Sequence, residues 1–394
     1  MDRAIIEKIR HSADEHFEEC RKIADYMTDN PEVGLDNRLA AGRISELLRK
    51  KGFEVESNYC GIMSAFRASK GKSDNRPKAA ILVETDALPE VGHACGHSLS
   101  AGASLLAAFC AESVYDDLPF NIELIGTPGE EFPGGKVLLD KKGAFDGYEF
   151  AIMTHMDNRT YPDSGFLACN DRYITFTGKA SHASDAPEKG INALNAARLY
   201  MDAMDMWRQH IPRTTQIQGV VEFGGDMPST VPDRAVLNYY FRARTLKELD
   251  EITAISDRVL EGVSMASGAK YAQEQRYETY ADFYRNPVGR KIVCDVYDEF
   301  GIEYIVRNDT NGSSDIGNVD QKIPCFHLYM AATDDPNAFL HDKSFAAYLK
   351  TESGYQGMKN AGMSMTAVIG KLGMQDGLLD ELKKKHREYR SQNK

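Results

Sequence analysis

The chain has 394 residues, 42% of them hydrophobic and 27% charged, a globular composition long enough for two or three packed cores. Its net charge of −12, with no Lys/Arg cluster interleaved with aromatics, argues against nucleic acid as a partner. No run of about 18 apolar residues occurs and the start "MDRAIIEKIRHSADEHFEEC" lacks the apolar block of a signal peptide, so no membrane partner and a cytoplasmic location are expected.

The first predicted element is a helix, with Ile6, Ile9, Ala13, Phe17, Cys20, Ala24 and Met27 at helical spacing and "NPEVG" from Asn30 stopping it. A second helix, Leu39 to Lys51, ends at Gly52. The period then changes: "KAAILVETD", Lys78 to Asp86, and "FNIELIGT", Phe120 to Thr127, read as buried strands around a helix over Ser98 to Glu112 with Leu99, Ala103, Leu106, Ala107 and Cys110 on one face. A further strand, "EFAIMTH", ends at His155. Strands alternating with helices predict an α/β domain with a largely parallel sheet.

The organisation shifts near Cys169. From there to Arg285 the order is strand ("RYITFTG"), helix (Ile191 to His210), two strands ("QIQGVVEF" and "AVLNYYFRA"), helix (Ile252, Ile255, Val259, Val263) and a strand near Tyr271 to Tyr277. This predicts a compact α+β unit of two similar halves, inserted into the α/β domain, so that 1–168 with 286–394 is one domain and 169–285 the other. Afterwards come the helix Val288 to Phe300, stopped by Gly301, the strand "PCFHLYM", and a basic tail "KKKHREYR" expected to be the solvated end of a terminal helix.

Polar residues collect just past the apolar strand runs, at Asp86, Glu130, Glu131 and His155, where α/β sheets build their sites. Between Asp86 and the next helix, "VGHACGHSLSAG" puts Cys95 and His97 in a turn flanked by Gly92 and Gly96. It reads three ways: a metal-ligand pair, a thiol active site, or polar residues of a packed core. Amides at the start of the following helix favour a thiolate at Cys95. In "GTPGEEFPGG" the adjacent Glu130 and Glu131 point different ways, so one would bind metal while the other faces a bound water; the alternative is a solvated acidic turn. Seven cysteines, an odd count without framework spacing, fit a reducing compartment, and all but Cys95 read as buried small residues. Three strand-end elements with compatible ligands favour a metal centre.

The order "ETDALPEVGHACGHSLSAG", "GTPGEEFPGG", "MTH", "TFTGKASHASDAPEKGINAL", "VPDRAVLNYYFRA", "GSSDIGNV" and "FLHDKSF" resembles the M20 metallopeptidases over essentially the whole chain. It is similar, more narrowly, to the subfamily of hippurate, indoleacetyl-amino acid and aminobenzoyl-glutamate hydrolases. The resemblance implies a zinc-peptidase-like α/β catalytic domain with an inserted ferredoxin-like α+β lid through which a homodimer forms. It implies two divalent metal ions, manganese or zinc with cobalt also suitable, held by Cys95 as shared ligand and by His97, Glu131, His155 and His341. Glu130 would then be the general base and acid, Asp86 the residue that orients a ligand histidine, and His182 a lid donor to the substrate carbonyl. His327 competes with His341 but sits inside an apolar strand. Asp315 would hold the site loop, and Glu84 stays outside the ligand set although many relatives outside the subfamily have a ligand histidine there.

Two departures bear on the substrate. Ser98 replaces the usual Asp or Asn, its hydroxyl still able to cap the following helix, and Ser229 stands where an Asn that helps bind substrate is common. Gly178, Gly190 and Asn192 would shape the lid loop, Asn192 also reaching a ligand, while Arg242 and Arg244, facing one side of a strand, are candidate carboxylate binders. The activity implied is hydrolysis of the amide of an N-acyl or N-aminoacyl amino acid, including dipeptides and aminobenzoyl-glutamate-like molecules. The competing expectations are a thiol hydrolase built on Cys95 and a non-catalytic metal- or metabolite-binding protein.

Overall fold

The computed structural model describes residues 1–70, 76–115, 118–310 and 312–392. The chain divides into two compact units, Met1–Gly165 with Phe283–Gln392, and Phe166–Asp282. None of the seven cysteines is in a disulfide, and no helix of the described residues is long and apolar enough to cross a membrane.

The first unit begins with α1 (Arg3–Asp29) and α2 (Arg38–Lys50), followed by β1 (Glu54–Ser57), β2 (Phe66–Ser69), β3 (Lys78–Glu84), α3 (His97–Val114), β4 (Asn121–Thr127), α4 (Gly135–Asp140) and β5 (Tyr148–Asp157). The second contributes β6 (Ala168–Thr177), α5 (Ala193–Trp207), β7 (Gln216–Phe223), β8 (Arg234–Ala243), α6 (Leu246–Ser267) and β9 (Lys270–Glu274). The first resumes with α7 (Pro287–Phe300), α8 (Ile316–Asp320), β10 (Cys325–Ala331), α9 (Lys343–Ala346), α10 (Glu352–Met374) and α11 (Leu378–Gln392).

The sheet of the first unit has six strands in the order β1-β2-β4-β3-β5-β10. From β4 to β10 the pairing is parallel, as the alternation of strands and helices predicts. The sheet is nevertheless mixed, because β1 and β2 add antiparallel pairs at one edge. These strands are short, β1 is mostly exposed and β2 alternates buried with half-buried residues, so neither has the apolar run that marks β3 and β4. The helix α3 departs from the expected single apolar face: every residue from His97 to Ala111 is buried. It lies against α1, α10, β3 and β5, and its small residues let these neighbours approach on all sides.

In the second unit the order β7-β8-β6-β9 is antiparallel throughout, with α5 and α6 packed on the sheet. Chain order βαββαβ with that strand order is the ferredoxin-like arrangement. Its core is built from Phe176, Tyr200, Leu237, Phe241, Leu249 and Leu260. At the sheet edge, β7 leaves Val220 and Val221 exposed.

Two further expectations change. The basic tail is not simply solvated, because His386 and Arg390 on α11 are buried against Asp320. Among the other cysteines, Cys60 and Cys294 are only partly buried.

Candidate metal centre

The carboxyl ends of the parallel strands β3, β4 and β5 share one edge of the sheet, and the loops leaving them carry Asp86, Glu130 with Glu131, and the end of β5 carries His155. Cys95 stands in the turn before α3 and His97 is the first residue of that helix. Gly96 joins them at φ 86°, and a Cβ there would meet the Cβ of Met156 at 2.6 Å, so only glycine allows the turn to press onto β5. His341 precedes α9 and holds φ 65°, a backbone region uncommon for a non-glycine residue.

These positions bring the predicted ligands together. Cys95 Sγ lies 3.2 Å from His155 Nε2 and 3.3 Å from His341 Nε2, and His341 Nε2 is 3.2 Å from Glu131 Oε1. Cys95, His97 and His155 form one group of donor atoms within 4.8 Å of one another, and Cys95, Glu131 and His341 form a second, so the sulfur is common to both. His97, Glu130 and Glu131 make a third such group. Neighbouring ligands on one ion stand roughly 3.0–3.6 Å apart when metal–N and metal–O bonds are about 2.0–2.2 Å and metal–S about 2.3 Å, which matches these separations.

Hydrogen bonds behind the ligands set their tautomers. His97 Nδ1 is 2.9 Å from the carbonyl oxygen of Asp86 and His155 Nδ1 is 2.7 Å from that of Met156. A carbonyl only accepts, so each Nδ1 carries a hydrogen and donates it, and each Nε2 is turned toward the other donors. The Asp86 carboxylate meanwhile accepts from the backbone N–H of Glu131 at 2.9 Å, so Asp86 braces two ligand residues at once. Glu84 Oε2, Asp86 Oδ1, His97 Nε2 and Glu131 Oε1 are buried and make no hydrogen bond. Buried atoms of this kind without partners are costly, and acceptors crowded together are the donor set a cation requires. The residues therefore fit divalent metal.

Electrostatics agree. Burial would raise the Glu131 carboxyl, but the close His341 ring and the charge of His97 bring it down to about 2. Glu130 goes the other way: burial, then the Glu131, Glu84 and Asp315 carboxylates, push it well above the usual carboxylate range. Burial pulls His155 down to about 4, keeping it neutral, the form that binds metal. For His97, burial favours the neutral ring but Glu84 and then Cys95 outweigh it and raise its basicity. The Cys95 thiol is pushed well up by burial and next by Glu131, so the helix amides do not by themselves produce a thiolate. A bound cation does so directly.

Nearby polar residues separate into roles. His93, buried, is pulled down to about 3 by burial and by His97, and it belongs to none of the donor groups. His327 is likewise buried, pulled down to about 3, and stacked on His155 with ring centroids 5.8 Å apart. Ser98 does not cap α3, whose N-cap is Gly96; its hydroxyl accepts from Thr28 Oγ1 at 2.9 Å. Glu84, which the sequence analysis kept outside the ligand set, has its Oε2 3.3 Å from His97 Nε2. Missed by the sequence reading was Lys136, which is fully buried and bonds Glu84 Oε1 at 2.6 Å and Asp315 Oδ1 at 2.7 Å. Its setting, "GGKVLLD", carries no signal for this.

In the second unit, His182 is exposed, and its Nδ1 accepts from the backbone N–H of Asp185 at 3.2 Å and of Ser184 at 3.4 Å. That leaves Nε2 as the N–H donor. The His182 strip pairs with the Ser229–Thr230 strip, Ala183 N–H donating to the Ser229 carbonyl at 2.9 Å. Gly178 lets the chain cross Ile191, since a Cβ would stand 2.0 Å from the Ile191 carbonyl oxygen. Asn192 caps α5, its side chain accepting from Asn195 N at 2.9 Å. Arg242 on β8 donates to Gln218 Oε1 at 3.4 Å, whereas Arg244 lies past the end of the strand and does not share its alternation.

The chain is similar to known proteins over most of its length. Residues 80–355 match peptidase family M20/M25/M40. An Xaa-Arg dipeptidase of Mus musculus is 31% identical over 401 residues, covering 95% of this chain and 91% of the relative. A hippurate hydrolase of Campylobacter jejuni is 28% identical over 254 residues, covering 57% of this chain and 64% of the relative. A solved dinuclear metal-binding peptidase of the M20 family from Bacillus subtilis shares the fold, with a TM-score of 0.65 at 16% identity over 89% of this chain and 98% of that one. With the family match extending through the elements that carry Glu84 to His341 and the mouse relative spanning nearly the whole chain, the protein belongs to peptidase family M20/M25/M40.

Proposed function

We propose that the protein is a di-metal amidohydrolase cleaving the amide bond of a dipeptide or of an N-acyl or N-aminoacyl amino acid. The observation that carries this is the convergence of two donor groups on a shared Cys95 sulfur beside a buried carboxyl, Glu130, whose proton affinity is raised. Cys95, His97, Glu131, His155 and His341 would hold two divalent ions, and their mixed S, N and O donors suit manganese, zinc or cobalt. When bound, such ions supply a water of lowered pKa and a polarised amide carbonyl.

The chain's own groups do the rest. Glu130 accepts the proton of the attacking water and passes it to the leaving amine nitrogen, a task for which a carboxyl of raised proton affinity is suited. Asp86 keeps the His97 ring and the Glu131 backbone in place. His182 has the chemistry of an oxyanion donor, an exposed N–H whose orientation is fixed by bonds on the other ring nitrogen. Arg242 suits a substrate carboxylate and Ser229 and Asn192 supply smaller polar contacts.

Against a thiol hydrolase stands the Cys95 thiol itself, buried and pushed up. Against a pure binding protein stands Glu130, which a storage site would not need. The test is amide hydrolysis followed by mass spectrometry on a pooled panel of N-acyl amino acids, aminobenzoyl-glutamate and dipeptides. The mouse relative's name makes dipeptides ending in arginine the first to include. Chelated protein is expected to be inactive, and protein restored with manganese or zinc to cleave; cleavage indifferent to chelation would sink the proposal.

A further inference from the structure

Glu84 is the last residue of β3 and is buried, yet its two carboxylate oxygens live in different surroundings. Oε1 accepts a charge-assisted hydrogen bond from Lys136 Nζ at 2.6 Å. Oε2 makes no hydrogen bond and stands 3.3 Å from His97 Nε2, itself without one. His97 spends its Nδ1 hydrogen on the Asp86 carbonyl, so Nε2 is the ring atom turned toward Glu84. The two atoms face each other at 3.3 Å in a fully buried setting without a hydrogen bond between them. A positive charge is needed beside both, and either a second proton on His97 or a metal ion held by the two atoms supplies it. The separation is that of two neighbouring ligands on one ion, roughly 3.0–3.6 Å.

Lys136 explains why only one oxygen is available. Its ammonium joins Glu84 Oε1 to Asp315 Oδ1, and its backbone N–H donates to Asp315 Oδ2 at 2.8 Å. Glu84, Glu130 and Asp315 are a further acidic group close enough to hold an ion, and the ammonium stands within it. This corner of the site thus carries its cation covalently, while the side of Glu84 turned toward His97 does not.

We propose that Glu84 is a metal ligand alongside His97, aimed by Lys136, which bars the neighbouring Glu84–Asp315 corner to a metal ion. The inference rests on the Cys95 cluster being a metal centre and adds a residue to it.

The test compares wild-type protein with Glu84→Gln. Metal per chain is measured by mass spectrometry after equilibration at fixed free zinc, affinity by competition with a chromophoric chelator, and coordination by the visible spectrum of the cobalt-loaded protein. Wild type is expected to bind two ions. In E84Q the weaker of the two affinities should fall by about 10–100-fold, the scale set by loss of a supporting interaction or more, with a changed cobalt spectrum. A zinc-loaded crystal structure of the wild type gives an independent reading should the variant not fold, with Glu84 Oε2 expected about 2.0–2.2 Å from an ion. Two ions bound by the variant with wild-type affinity and spectrum, or an oxygen left beyond about 3 Å in the crystal, would overturn the role of Glu84 alone. A wild type that binds no metal would overturn the centre itself.

Discussion

The helix α8 has a buried carboxylate at each end, and the two are built on opposite plans. At its start, Asp315 belongs with Glu84, Glu130 and Lys136, next to a cluster in which acceptors face acceptors. At its end, Asp320 is surrounded by donors: the backbone N–H of Tyr284 at 2.9 Å and of Cys325 at 3.1 Å, the Arg390 guanidinium, and His386, whose Nε2 meets the Asp320 carbonyl at 2.6 Å. Both regions are buried and rich in charge. The difference lies in what stands beside each carboxylate: Asp315 is itself closed by Lys136, but it borders Glu84 Oε2, His97 Nε2 and Glu131 Oε1, which make no hydrogen bond. A buried polar cluster that satisfies itself serves the fold, whereas one that leaves lone pairs turned inward is made for something the chain does not contain.

The sharpest way to separate the two regions is Glu130→Gln, which leaves shape and ligands alone and removes the proton acceptor. Turnover is expected to fall by about 10²–10⁴-fold, the usual share of general acid–base catalysis, with two metals still bound and stability unchanged. Kinetics and metal analysis on the same sample check it. Retained turnover would take Glu130 out of the mechanism, and lost metal would make it a ligand instead.

At the other end of α8 the expected result is the mirror image. Asp320→Ala removes the buried carboxylate to which the Arg390 guanidinium and the N–H groups of Tyr284 and Cys325 donate. Removing one member of a buried ion pair destabilises by about 3–5 kcal/mol, which denaturant unfolding would register, while metal stoichiometry of the folded protein should hold. Metal lost at denaturant concentrations where the fold persists would show that α8 couples its two ends and that the contrast between them is too simple.

How much of this was legible in the residues depends on distance along the chain. Elements set by local pattern were: α1 and α7 announce their faces, Gly301 stops α7 in the left-handed conformation at φ 68°, and β7 coincides with the stretch "QIQGVVEF". The long helix α10 escaped because its surface is cut for close packing rather than striped. A Cβ on Gly357 would stand 2.3 Å from the Ala331 carbonyl oxygen and one on Gly362 2.8 Å from Leu106, so these glycines, which read as helix breakers, are what lets it fit. The site divides the same way. Cys95 with His97 and Glu130 with Glu131 are visible as short motifs at strand ends, and the spacing suffices to suspect metal. Lys136 is not, because its meaning comes from Glu84, 52 positions away, and Asp315, 179 away. His386 and Arg390 read as a solvated tail for that reason too, their partner lying 66 and 70 positions off.

A third charged group fixes the lower end of the scale on which the two clusters are compared. Glu299 meets Lys371 at 2.8 Å near the surface of the first unit, with 21% of its side chain exposed. Burial alone would raise its carboxyl, but the ammonium of Lys371 and that of Met1 outweigh it and hold it below the usual range. A lowered carboxyl stabilises the fold while it is ionised, so its contribution is complete at neutral pH and disappears as pH falls through and below the ordinary carboxylate range. Water near the pair screens most of that attraction, so Glu299→Gln is expected to cost about 0.2–1 kcal/mol at pH 7 and nothing once the wild-type carboxyl is protonated. Unfolding curves of both proteins at neutral and acid pH would show whether the gap closes. A loss approaching that of Asp320→Ala would mean that burial is not what distinguishes a strong charge cluster from a weak one in this fold, and that donor count around each carboxylate is.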